Sequence, residues 1–108
     1  MHTRKEIYRL DFSNLTAISD LHPYIKTAMA FPEYYGESWY AFWDCITDLL
    51  DAPLQIEITG IEWLQKNYPL ELEILLAYLK DLKHYADDTY ADIIHITVIT
   101  GETRTELT

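Results

Sequence analysis

The sequence predicts an α/β fold in two layers, a three-stranded parallel sheet packed on one side against helices. Three observations carry that expectation. Three short stretches alternate apolar and polar residues with period two: Tyr8/Leu10/Phe12, Leu54/Ile56/Ile58 and Ile94/Ile96/Val98. Segments of helical spacing separate these stretches, which favours parallel strands. The interleaved positions Arg9, Asp11, Gln55, Glu57, His95 and Thr97 are largely polar, so the sheet should be covered on one face and wet on the other.

Taken in chain order, the first strand is followed by about 40 residues of helical spacing, broken at Phe31-Pro32 and at Gly36. This predicts helices over 17–29 and 38–50. After the second strand comes a short helix near 61–67, then a longer one opening at Pro69, a residue suited to a first helical turn. In the long helix Leu72, Leu75, Leu76, Leu79 and Leu82 form a core stripe, with Glu71, Lys80, Asp81 and Lys83 mainly outside it. Residues 84–92 read as a loop. The chain from Gly101 to Thr108 is polar enough to be a frayed tail. With 108 residues, 49% of them apolar and 14% aromatic, the chain is expected to form a single domain over 1–108 with a real core.

Charge narrows the function. Eighteen acidic residues against eight basic ones give a net charge of -10. Too few cations are present to neutralise nucleic-acid phosphates, and an anionic membrane surface would repel the chain. A cationic partner is the expectation that remains. The N-terminus has no apolar segment of the kind a signal peptide carries, and Cys45 has no second cysteine to pair with, so cytoplasmic residence is expected.

The acidity is regional. From Thr27 to Gln65 there is no Lys or Arg, while Glu33, Glu37, Asp44, Asp48, Asp51, Glu57 and Glu62 all fall there. In the second helix, Trp39, Phe42, Trp43, Ile46, Leu49 and Leu50 follow the spacing of a core face, leaving Tyr40, Asp44, Thr47, Asp48 and Asp51 opposite. Like charges at offsets of three and four destabilise a helix by roughly 0.2–0.5 kcal/mol per pair, and no base on this helix offsets them. A solvated face of an acidic protein is one explanation. The tyrosines favour another, because Tyr34 and Tyr35 on a short turn are unsuited to both being buried, and aromatics beside acids make an interface centre. Trp39 and Phe42 are assigned to the core, Tyr34 and Tyr40 to the surface, and Trp43 to either.

Other chemistry has little support. Three glycines cannot build a phosphate-cradling loop. The four histidines, His2, His22, His84 and His95, are scattered, so neither a metal nor a cofactor is expected. Asp87, Asp88 and Asp92 lack the spacing of a calcium loop. Cys45 falls on the apolar stripe, where an inert buried thiol is expected. No nucleophile, base or metal cluster suggests an enzyme.

The run from Pro32 to Thr47, PEYYGESWYAFWDCIT, resembles the barstar family of intracellular ribonuclease inhibitors, as does Ile18-Ser-Asp-Leu-His22. With the later strands and the long helix, the resemblance spans nearly the whole chain. It implies that the loop and second helix plug a ribonuclease active site, acidic side chains replacing substrate phosphates. By matching motif, the contact residues are Tyr34, Tyr35, Gly36, Ser38, Tyr40, Trp43, Asp44 and Thr47, with Asp44 central. Asp81 on the long helix is implied as a second anchor. Some positions depart from the family: Tyr40 replaces a helical aspartate, Ser38 an asparagine and Asp48 a glycine. Asp48 is therefore a further candidate, supplying charge that Tyr40 lacks. The expected protein is a non-enzymatic inhibitor of a cationic ribonuclease-type toxin, monomeric when free. The alternative is a barstar-like interaction module whose partner is not a ribonuclease.

Overall fold

The computed structural model describes residues 7–50, 53–85 and 94–107. The elements run β1 (Tyr8–Asp11), a 3-10 turn (Ile18–Asp20), α1 (Leu21–Ala28), α2 (Trp39–Thr47), β2 (Leu54–Thr59), α3 (Glu62–Asn67), α4 (Pro69–Tyr85), β3 (Ile94–Thr100) and β4 (Thr103–Glu106). The strands lie in the order β1-β2-β3-β4. β1 pairs parallel to β2 with Tyr8 opposite Ile56, and β2 parallel to β3 with Leu54 opposite Ile94.

Alternation along the strands makes the two layers. Tyr8, Leu10, Leu54, Ile56, Ile58, Ile94, Ile96 and Val98 are buried, together with Leu21 and Ile25 of α1, Phe42 and Ile46 of α2, Leu64 of α3, and Leu72, Leu75, Leu79 and Leu82 of α4. The opposite face of the sheet carries paired charges. Glu57 accepts Arg9 at 3.5 Å and Arg104 at 3.8 Å, and His95 meets Glu106 at 2.9 Å.

The sheet has four strands, not three, and this corrects the expectation of a frayed tail. β4 pairs antiparallel to β3, Thr100 opposite Thr103, across a turn whose Gly101 has φ 58°. All four residues of β4 are exposed, so the strand has no apolar alternation to reveal it. The usable cue was the short glycine turn between β-formers. Leu107 beyond it is buried, its N–H donating to the Ile96 carbonyl at 2.8 Å.

Two helices are shorter than their periodicity suggests. The segment expected over 17–29 begins as the 3-10 turn and becomes α-helical only at Leu21, because Pro23 lacks the N–H that a continuous helix would direct at the residue 19 carbonyl. The helix expected over 38–50 ends at Thr47, after which Leu49 and Leu50 donate to carbonyls three residues back, tightening the last turn. In contrast α4 continues to Tyr85, two residues into the segment expected as a loop; the rest of that segment, with Asp87, Asp88 and Asp92, lies outside the described residues.

α1 ends in a Schellman arrangement. Ala30 N–H donates to the Thr27 carbonyl and Phe31 N–H to that of Lys26, with Ala30 at φ 55°. An L-residue other than glycine is strained there. Ala30→Gly is therefore expected to raise stability by about 0.5–1 kcal/mol, read as a higher urea midpoint at unchanged slope.

Candidate functional site

The segment from Phe31 to Glu37 is a loop held by its apolar residues. Phe31 and Tyr35 point into the core with ring centroids 5.2 Å apart, and the Tyr35 N–H donates to the Pro32 carbonyl at 2.9 Å. Fixing Tyr35 inside turns its neighbour out: Tyr35 is 5% exposed and Tyr34 78%. Of the two tyrosines expected at the contact surface, Tyr34 presents its ring to solvent, whereas the Tyr35 ring is buried and anchors the loop to the core. Its hydroxyl lies 2.6 Å from His22 Nδ1. Burial pushes the Tyr35 phenol far above its ordinary range and the His22 imidazole below its own, Glu71 and Glu37 partly opposing the second shift.

Ser38 closes the loop and opens α2. Its backbone is extended and its hydroxyl accepts the Ala41 N–H at 3.1 Å, so this candidate contact residue is first of all a helix cap. Gly36 is exposed; a Cβ there would meet Ala41 at 3.7 Å, an ordinary contact. The fold does not require glycine at this position. What its absence of a side chain provides is bare backbone at the front of the loop.

At ~100° per residue, the outer arc of α2 runs Trp43, Thr47, Tyr40, Asp44, Asp48. Tyr40 is 84% exposed, Asp44 and Asp48 are exposed, and Trp43 and Thr47 are half-buried. The Thr47 hydroxyl donates back to the carbonyls of Trp43 at 2.9 Å and Asp44 at 3.1 Å, which commits its proton within the helix. Cys45, on the inner side, is buried, and its thiol is pushed up by burial and by Asp48 and Asp44; it stays protonated and inert.

The Trp43 edge of this arc faces α4. Tyr78 and Tyr85 of α4 lie 5.9 Å and 5.4 Å from the Trp43 ring, and Tyr78 stacks on Trp39 at 6.0 Å. Between the helices runs an open groove of about 480 Å³ lined by Tyr40, Trp43, Tyr78, Asp81, His84 and Tyr85. Asp81 thus stands beside Tyr40 and Trp43, although 38 positions separate it from Trp43 in sequence. Among the described residues, no Lys, Arg or His forms a salt bridge with Asp44, Asp48 or Asp81. Near the loop, Lys26 is engaged by Glu33 at 3.2 Å. Tyr78, His84 and Tyr85 were not singled out in the sequence. Tyr78, Asp81 and Tyr85 do recur at i, i+3 and i+7 along α4, a second stripe beside the leucines.

Such a surface can do two things: offer aromatic faces and offer unneutralised carboxylates. Both suit cations. Among the described residues, no three His, Cys, Asp or Glu gather as metal ligands, and no helix is long and apolar enough to cross a membrane. The family model described as Barstar (barnase inhibitor) matches residues 6–97. The chain belongs to the barstar family. A curated relative, "Putative ribonuclease inhibitor YrdF" of Bacillus subtilis (strain 168), is 29% identical over 84 residues, which cover 78% of this chain and 89% of that protein. Barstar family proteins are inhibitors rather than enzymes, and the loop, α2 and α4 described above all fall within the matched region.

Proposed function

We propose that this chain inhibits a cationic ribonuclease-type toxin by occupying its active site with the loop of Tyr34 and Gly36, the outer arc of α2, and Asp81. The observation that carries the reading is Asp44: an exposed carboxylate beside Tyr40 on the outer arc of α2, with no base among the described residues to neutralise it. In the complex its oxygens take the place of a substrate phosphate before the enzyme's Arg, Lys and His groups. Asp48 adds charge one turn further on, where Tyr40 has none to give. Asp81 receives a second cation in the groove, where Tyr40, Trp43 and Tyr85 offer ring faces to a guanidinium. Thr47 and Ser38 border the contact, and Tyr35 supports it from inside. The free protein is a cytoplasmic monomer, a placement its unpaired Cys45 favours.

A second reading, an interaction module for a partner that is not a nuclease, is favoured by Tyr40, whose exposed ring holds the centre of the α2 arc where the family has an acid. Capture separates the two. The tagged chain should retain a basic protein that degrades RNA once released from the complex and stops when the chain is added back. A retained partner without RNA-degrading activity selects the interaction module.

A further inference from the structure

The geometry points to His22 as the positioning residue of the docking loop: its imidazole ties Tyr35 to α2, and through that tie sets the outward presentation of Tyr34 and Gly36. This rests on the reading of the loop as part of the inhibitory surface. His22 lies on α1, outside the loop and α2, yet it touches both. Its Nδ1 is 2.6 Å from the Tyr35 hydroxyl, and its ring meets the Trp39 ring edge-on at 4.6 Å. Trp39 is itself fixed, its indole N–H donating to Glu71 Oε2 of α4 at 3.0 Å. One imidazole therefore links the loop to α1 and to the first residue of α2, and that residue to α4.

The loop needs such a tie. Glu37, the last residue before the Ser38 cap, has φ 52°, a left-handed conformation that a non-glycine residue holds only when its surroundings impose it. Tyr35 on one side and the cap on the other impose it. If the Tyr35 hydroxyl loses its partner, the ring is a buried phenol with an unmade hydrogen bond, and the loop can relax by releasing Tyr35 and Glu37 together. Tyr34 and Gly36 would then no longer be held in the docking conformation. The groups facing His22 are Tyr35 and Glu37 from the loop, Trp39 from α2 and Glu71 from α4.

The test compares His22→Ala with His22→Asn, whose amide keeps a polar atom near the place of Nδ1, in the full chain. The Tyr35 amide reports loop opening, because its N–H is bonded to the Pro32 carbonyl. In His22→Ala, hydrogen exchange at that amide should accelerate, and affinity for the captured ribonuclease should fall, each by about tenfold, the scale of one buried hydrogen bond. His22→Asn should restore both to within about threefold of the parent. Tyr35→Phe removes the buried hydroxyl rather than stranding it, so it should accelerate exchange and weaken binding less than His22→Ala does. Parent affinity in His22→Ala overturns the positioning role whatever the exchange rate, and so does a His22→Asn as weak as His22→Ala. Failure of the inhibitory reading looks different: an Asp44→Ala chain that binds like the parent.

Discussion

Asp44→Ala is expected to weaken binding to the target ribonuclease by about thirtyfold or more, the scale of an interface hot spot, a scale the barstar archetype itself helped to define. The carboxylate is exposed and unneutralised in the free chain, so it is available to an incoming cation cluster. Once docked, it leaves that cluster buried and uncompensated if removed, and the loss then includes the partner's desolvation as well as the contact. Glu62→Ala, which removes the same charge from α3, should change affinity by less than about threefold. The folded chain should respond in the opposite sense. Asp44 and Asp48 stand one turn apart, so Asp44→Ala should leave stability unchanged or raise it by roughly 0.2–0.5 kcal/mol. Calorimetric titration against the ribonuclease and urea unfolding of the free chain read the two effects separately. Weaker binding with lower stability would mean the substitution acts through the fold.

Phe42→Ala is the counterpart in the core, with an expected cost of about 3–5 kcal/mol, the range for a phenylalanine truncated in a packed interior. Phe42 is fully buried on α2, with Phe31 at 6.0 Å, Trp39 at 5.5 Å and Tyr78 at 6.3 Å, each near edge-to-face. It is the point where the loop anchor, α2 and α4 meet. Truncation removes the ring's transfer energy and leaves a cavity that three rigid neighbours cannot collapse into. At ~4–8 °C per kcal/mol for a domain near this size, Tm should fall by ~12 °C or more. Phe42→Leu, which keeps much of the volume, should cost markedly less. A Tm within a few degrees of the parent for Phe42→Ala would show that α2 is held by something other than this ring cluster.

The parts of the fold that were legible in the sequence are those where burial alternates with a fixed period. Leu54/Ile56/Ile58 could be read because every second residue is buried, and Leu72/Leu75/Leu79/Leu82 because every third or fourth is. β4 was hidden for the same reason: Thr103 to Glu106 is exposed throughout and owes its place to a turn and to pairing with β3. Element ends were set by hydrogen bonding that periodicity does not encode, as at Pro23 and after Thr47. At the site, sequence distinguished Phe42 from Tyr40 correctly, because helical spacing decides which side faces inward. It could not separate Tyr34 from Tyr35. Adjacent identical residues in a loop carry no period, and the partners that meet Tyr35 inside, Phe31 and His22, come from outside the tyrosine pair, His22 thirteen positions away. The groove was only half visible for a related reason. Asp81 was identified by resemblance, whereas Tyr78 and Tyr85 acquire meaning only when α4 lies beside Trp43.

The central claim is that the acidic arc substitutes for substrate phosphates, and it predicts mutual exclusion. The most direct measurement loads the captured ribonuclease with a fluorescent, uncleavable oligonucleotide and follows its anisotropy as this chain is added. Complete release at one equivalent is expected, with Asp44→Ala requiring a large excess and release slowing as salt rises. An oligonucleotide that stays bound while the chain also binds would contradict the account.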